Sequence, residues 1–238
     1  PTTHGTGSEV TKWGTIWNLE EKKKYSISHN DLYPDTAILD GGLTTNLPLN
    51  ISLITSLDAL SHSFESLWNR NCSKTSTENA IKAISLILPT ILKIKDDPQN
   101  IDYRNSLLKG ANLAGLAMSH TKTAAAHSIS YPLTIHYKIP HGIACSLPLV
   151  PLLTMTENKI NEKLGVLYKN LRIKNLEELK SLLNHVLRDT LKIKLKNFGI
   201  SKKDLTRISN DSFTKGRMEN TIIRLEKSDV YNILTEIY

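Results

Sequence analysis

Cysteine is nearly missing from this sequence: Cys72 and Cys145 are the only two in 238 residues. They stand far apart in unrelated contexts, which excludes a disulfide framework and fits a reducing compartment, the cytoplasm. Long apolar runs are missing too. The longest candidate, Ala83-Ile84-Ser85-Leu86-Ile87-Leu88, meets Pro89 and then Lys93 and Lys95, well short of the roughly 18–20 residues of a membrane span. The opening residues do not read as a basic-then-apolar signal peptide. Internal repeats and low-complexity stretches are absent. Acidic residues are outnumbered, 23 against 30 basic ones, giving a net charge of +7. The lysines are spread along the chain, with loose clusters at Lys22-Lys23-Lys24 and from Lys192 to Lys196. No nucleic-acid motif accompanies them, so the excess reads as a solvated surface, with neither nucleic acid nor membrane as partner.

What is present suits a globular protein. Hydrophobic residues make up 39% and charged residues 22%, and the length permits one large domain or two small ones with a sizeable core. The first residue, Pro1, opens directly into the Gly/Thr-rich stretch Pro1-Thr-Thr-His-Gly-Thr-Gly-Ser8. Domains rarely begin inside such a turn, so the expectation is a processed chain or the later part of a longer one.

Residues 1–8 form a loop whose glycines permit unusual backbone angles and whose hydroxyls can meet a phosphate or ribose; an ordinary turn into a strand reads equally well. Residues 9–18, Tyr25–Ser28 and Thr36–Leu39 have strand composition. From about residue 50 the apolar period becomes helical, with Leu53, Leu57, Leu60, Phe64 and Leu67 three or four apart. Further helices are expected over 75–95, where Pro89 should kink or split the helix, over 101–119, over 123–136, and from Pro140 to about Leu153. Gly110, Ala111, Ala114, Gly115 and Ala117 give the third helix a small-residue face. One helix is expected from Leu176 to Leu191, one after an N-cap at Ser201 with Asp204 three residues on, and a last one from Ser228-Asp229. The sum is a short β-rich segment followed by about eight helices, with a boundary near residues 40–50.

Asp58 and His62 lie four apart, so on a helix they share one face. Two more histidines follow in Ala126-His127-Ser128 and Pro140-His141-Gly142. Three imidazoles and one carboxylate suit Fe²⁺ or Zn²⁺ rather than Mg²⁺ or Ca²⁺. Each residue also has a plain structural reading: a surface pair, a satisfied core histidine, a helix-start residue. His29 and His185 read as exposed, His120 and His136 as candidates for a pocket wall, and His4 as near a cofactor.

The flanks of these residues resemble the iron-containing (group III) alcohol dehydrogenase family. The similar stretches are Pro1 to Thr11, Lys24-Tyr25-Ser26-Ile27, Leu43-Thr44-Thr45-Asn46-Leu47-Pro48, Asp58-Ala-Leu-Ser-His62, Leu113-Ala-Gly-Leu-Ala117 and Pro140-His141-Gly142. They run in order from residue 1 to about 150, then more weakly through Arg217-Met218-Glu219-Asn220. The resemblance implies a mainly α fold. Residues 1–48 would be the terminal β segment of an α/β cofactor-binding domain, and residues 49–238 an all-helical metal-binding domain. It implies metal ligands at Asp58, His62, His127 and His141, with Fe²⁺ or Zn²⁺ bound. It implies NAD or NADP contacts at Thr2, Thr3, Thr6, Lys24 and Leu43. The family's Gly-Gly-Gly-Ser type pyrophosphate turn has no counterpart in this chain. Many members also carry a histidine four residues after the third ligand; here Tyr131 stands there, its hydroxyl a candidate proton donor.

The implied activity is hydride transfer between NAD(P)(H) and a small alcohol or aldehyde by a homodimer. Trp68-Asn69-Arg70-Asn71 and His127-Ser-Ile-Ser-Tyr-Pro-Leu133 resemble the branch that reduces phosphonoacetaldehyde, with Arg70 or Lys122 as a cation for the phosphonate. Two alternatives stand beside it: a dehydroquinate synthase-like lyase, and a catalytically incomplete helical domain that keeps the metal.

Overall fold

The structure is a computed structural model. It describes residues 1–238 apart from Leu19, Lys22 and Lys192 and the side chains of Trp17, Lys24, Arg188, Asp189 and Thr190. It is mainly helical. After an irregular N-terminal loop, β1 (Trp13–Asn18) and β2 (Lys23–Ser28) pair antiparallel, with Trp13 opposite Ser28 and Asn18 opposite Lys23. Thr36–Leu39 belongs to no strand, and Ile38 is 74% exposed. Its composition suits a strand, but among the described residues no partner edge pairs with it, and β-propensity alone does not hold an isolated strand.

The helical body comprises α1 (Leu49–Leu67), α2 (Lys74–Ile94), α3 (Ile101–Thr121), α4 (Ala125–Tyr137), α5 (His141–Ser146), α6 (Leu149–Leu171), α7 (Leu176–Asn184), α8 (Leu205–Asp211) and α9 (Lys227–Glu236). Helix α1 is the central pillar. It touches α2, α3, α4, α5 and α6, and every residue from Ser56 to Leu67 is buried. A helix enclosed on all sides must satisfy its polar side chains internally. Ser61, Ser63 and Ser66 do so by donating to the carbonyls of Leu57, Ala59 and His62, each at 2.8 Å.

Several joints follow sequence chemistry closely. Ser73 and Ser76 form a reciprocal capping box at the start of α2. Ser201 and Asp204 form another ahead of α8. Pro89 lies inside α2 without splitting it. The expected helix from Pro140 to Leu153 is two helices, because Leu147 and Pro148 part α5 from α6. The expected helix from Leu176 to Leu191 keeps α-geometry only to Asn184; a π-type turn takes over from His185. The last helix is capped by Glu226 rather than Ser228.

The small-residue face of α3 works as expected, on two different neighbours. A Cβ on Gly110 would sit 2.6 Å from Ile87 of α2. On the opposite side Gly115 meets Gly7 of the N-terminal loop, which adopts a left-handed φ of 61°. This contact holds the loop against the helical body. Arg104, fully buried, pins a second junction by donating to Ser52 Oγ (2.6 Å), Pro98 O (2.7 Å) and Leu47 O (3.1 Å). No described helix is long and apolar enough to cross a membrane.

Candidate metal centre

Helices α1, α4 and α5 bring Asp58, His62, His127 and His141 together. Asp58 Oδ1 lies 3.8 Å from His62 Nε2, 3.4 Å from His127 Nε2 and 4.0 Å from His141 Nε2. The His62 and His127 rings stack 4.6 Å apart at 11°, and His141 meets His127 edge-on at 5.3 Å. The approach of α5 to α1 depends on Gly142. A Cβ there would collide with the Ile54 carbonyl oxygen and come within 3.2 Å of the Asp58 nitrogen. Glycine after His141 is thus a packing requirement that sets the His141–Asp58 distance.

Burial pushes the Asp58 carboxyl upward, yet the nearby imidazoles, His62 first among them, outweigh it and hold the group ionised well below the usual carboxylate range. Glu65, one helical turn past His62 and fully buried, faces the other side of His127. Its Oε2 lies 2.6 Å from His127 Nδ1, and its Oε1 accepts the His127 backbone N–H at 3.0 Å. Desolvation opposes charge on both partners; their mutual attraction wins, so the His127 pKa is raised and the Glu65 pKa lowered. Sequence reading missed Glu65. Its only signal was an acidic residue in the middle of an otherwise buried helical face, seven residues after Asp58.

The donor set fits a divalent ion on an observation internal to the protein. His127 Nε2 is buried, faces Asp58 and has no hydrogen-bond partner among the described residues. A buried imidazole nitrogen held only by a 3.4 Å contact to a carboxylate is poorly satisfied, and its other nitrogen is already committed to Glu65. Carboxylate–histidine pairs of this kind orient metal-ligating imidazoles. Among the described residues, Asp58, His127, His141 and Cys145 place one donor atom each within 4.8 Å of all the others.

These residues line a cavity of about 480 Å³ together with Trp13, Gly14 and Thr15 of β1 and Ser26 of β2. Thr6 of the N-terminal loop, Lys122, Tyr131 and Arg217 also face it. Of the residues implied to contact a dinucleotide, Thr6 lines the cavity. Thr2 is exposed and Thr3 half-buried, and neither does. Leu43 is 58% exposed, in a 3₁₀ turn over Gly41–Thr44. The backbone of Lys24 lies in β2, and its side chain lies outside the described residues. His4 is not a cavity residue: it is buried against α1, with Nδ1 3.2 Å from Ser56 Oγ. His120 and His136 are exposed and line no part of this cavity.

Arg70 does not face the cavity either; its guanidinium donates to Thr221 O at 3.0 and 3.3 Å. The second cation there is Arg217, whose Nε donates to Tyr131 Oη at 3.2 Å. Tyr131 in turn stacks on His141 at 6.4 Å. Arg217 is carried in by the segment between α8 and α9, where Asn220 donates to Thr123 O and Ser128 donates to Ser212 O. A polar stretch far along the chain gave no sign of this placement.

Comparison with known proteins gives the family. Residues 52–238 match the C-terminal part of the Fe-containing alcohol dehydrogenase family, and residues 1–41 match iron-containing alcohol dehydrogenase. The chain belongs to the iron-containing alcohol dehydrogenase family. It is 32% identical over 153 residues to phosphonoacetaldehyde reductase of Streptomyces viridochromogenes, covering 64% of this chain and 39% of that protein. It is 28% identical over 244 residues to alcohol dehydrogenase 4 of Saccharomyces cerevisiae, covering all of this chain and 63% of that protein. The crystal structure of sulfoacetaldehyde reductase from Bifidobacterium kashiwanohense in complex with NAD⁺ superposes with a TM-score of 0.91 at 25% identity, over all of this chain and 63% of that one. The chain therefore spans less than two-thirds of the length of each of these relatives.

Proposed function

We propose that this protein interconverts a small aldehyde and its alcohol by metal-assisted hydride exchange with NAD(P)(H), and that its preferred aldehyde carries a phosphonate or sulfonate. The observation that carries the first part is the buried His127 Nε2, without a hydrogen-bond partner and aimed at Asp58. Asp58, His62, His127 and His141 would hold Fe²⁺ or Zn²⁺. A bound ion would supply Lewis acidity to the oxygen of the alcohol or aldehyde. A nicotinamide would supply or accept the hydride. In this reading residues 1–48 are the last β segment of a cofactor-binding domain, residues 49–238 the metal-binding one, and the cavity lies where they meet.

The chain's own residues then have definite tasks. Glu65 holds His127 Nδ1, which leaves Nε2 directed into the donor set. Thr6 and Ser8, at the loop anchored by the Gly7–Gly115 contact, present hydroxyls to the cavity. Tyr131, which accepts from Arg217, stands beside His141 and can pass a proton at its hydroxyl.

Arg217 and Lys122 support the anionic substrate. Lys122 has φ 62° and ψ 175°, a backbone region that side chains other than glycine strongly disfavour. Its carbonyl is fixed by Asn69 Nδ2 and Thr121 Oγ1 while its side chain faces the cavity. Such strain is kept where a function depends on it. Two cations on the wall beside the donor set suit a substrate with an anionic group a few bonds from its carbonyl. Phosphonoacetaldehyde and sulfoacetaldehyde, which name two of the relatives, are aldehydes of that shape.

The test couples metal analysis with turnover. Purified protein should contain one divalent ion and oxidise NADH or NADPH when given an aldehyde, while Asp58→Ala should lose both. Full metal retention by the variant would remove the site as drawn. Ligand-induced cyclisation or elimination without net nicotinamide turnover would favour the lyase reading.

A further inference from the structure

We propose that Asn69 is a positioning residue for substrate choice: its amide fixes the carbonyl of Lys122 and so aims the Lys122 ammonium into the cavity that Arg217 also faces. The inference rests on the anionic-aldehyde reading above and adds a residue that lines no part of the cavity itself. Asn69 stands just past the end of α1 and is fully buried. Its Oδ1 accepts the Asn71 N–H at 3.0 Å, which leaves Nδ2 to donate to Lys122 O at 3.2 Å. Both ends of the amide are thus engaged, and a flipped amide would set oxygen against oxygen.

Lys122 is the residue that needs such a hold. It joins α3 to α4 with φ 62° and ψ 175°, and ψ decides where its carbonyl points. The Lys122 N–H donates to Met118 O at 2.8 Å, so with Asn69 on the carbonyl both flanking peptide groups are held and the backbone between them stays in its disfavoured region. That fixes the direction in which the side chain leaves toward the cavity. The same joint reaches Arg217. Asn69 pairs with Thr221 in an antiparallel bridge, in which Arg70 N–H donates to Asn220 O and Ile222 N–H to Trp68 O, each at 2.8 Å. From there Asn220 Nδ2 donates to Thr123 O at 2.8 Å, and Thr221 Oγ1 accepts the Ala125 N–H at 3.1 Å. The turn carrying Lys122, the segment carrying Arg217 and the start of α4, which bears His127, therefore meet around Asn69. The contact with Lys122 O is the part made by the Asn69 side chain, and it is the part that a substitution can remove.

A double-mutant cycle tests this. Lys122→Gly removes the ammonium and suits the backbone angles; it should raise KM for phosphonoacetaldehyde by about 10–100-fold. Asn69→Ala should raise the same KM by about 3–10-fold, the worth of one hydrogen bond, with kcat unchanged and KM for butanal unchanged. In the Lys122→Gly background it should add nothing. Calorimetric titration with 2-hydroxyethylphosphonate should repeat the pattern in Kd without turnover. Asn69→Asp keeps the shape and the Asn71 contact but turns a carboxylate oxygen toward Lys122 O, so it should match Asn69→Ala and covers the case in which alanine loosens the fold. An unchanged phosphonate KM in the Asn69 variants, equal losses on butanal, a further loss in the Lys122→Gly background, or failure of both Asn69 variants to fold would overturn the positioning role and leave the substrate reading standing. No effect of Lys122→Gly on phosphonate KM or Kd would overturn Lys122 as an anion contact, and Asn69 with it.

Discussion

Glu65 grips His127 twice: its Oε2 lies 2.6 Å from the ring Nδ1, and its Oε1 takes the backbone N–H of the same residue at 3.0 Å. The two contacts fix ring and backbone together, so the direction of His127 Nε2 is set before any ion arrives. Glu65→Gln keeps the size of the side chain and removes its charge. It should weaken metal affinity by about 10–100-fold, the usual cost of losing the partner behind a metal-ligating histidine, with the fold retained. Competition with a chromophoric chelator and far-ultraviolet circular dichroism, run on the same samples, read both outcomes.

Gly142 is the position where α5 and α1 come closest. Gly142→Ala should push α5 outward, because the new methyl collides with the Ile54 carbonyl oxygen. The expected stability loss is about 1–3 kcal/mol, as for other overpacked sites, accompanied by weaker metal binding as His141 moves from Asp58. Denaturant unfolding of the metal-free protein isolates the first effect, and metal titration the second. Unchanged stability would show that the helices can part there at no cost.

Arg217 and Lys122 should govern substrate choice. Arg217→Ala is expected to raise KM for an aldehyde with a phosphonate or sulfonate by about 10–100-fold, the worth of one or two charge-assisted hydrogen bonds. KM for an uncharged aldehyde of similar length should hardly change. Steady-state kinetics on the two substrates make the comparison within one protein, which separates lost recognition from general damage. Equal losses on both would remove Arg217 from anion recognition.

His4 supplies a pH dependence away from the ligands. Burial lowers its pKa from 6.5 to about 4, with the Arg104 guanidinium adding to the effect. Its folded-state pKa lies below the unfolded value, so the unfolded chain binds the proton more readily. The stabilisation from neutral His4 is therefore complete above about pH 6.5 and lost as the pH falls toward 4, by up to roughly 3 kcal/mol. His4→Gln should flatten this part of the stability–pH curve. Thermal unfolding at half-unit steps from pH 7 to 4 gives both slopes.

Much of the helical body could be read from residue order. Apolar spacing located α1, α2 and α3, and the Ser201 cap located the turn before α8. The exceptions have local causes: Pro148 divides α5 from α6, and Thr36–Leu39 has strand composition but no pairing edge among the described residues. Asp58, His62, His127 and His141 could be singled out as candidate ligands because neighbouring residues resemble a family in which those positions bind metal, not because their spacing is distinctive.

The sequence by itself determined which residues could be ligands, the mainly helical fold and the small-residue surfaces that allow close approach. It did so because helical periodicity, caps and glycine are local properties. Tertiary structure alone decided that Glu65 stands behind His127, that Cys145 Sγ lies beside Asp58 Oδ1, and that Arg217 rather than Arg70 faces the cavity. These relationships join residues tens of positions or more apart. They arise only when α4 and α5 pack on α1 and the segment after α8 folds back across them, and no local preference encodes that meeting.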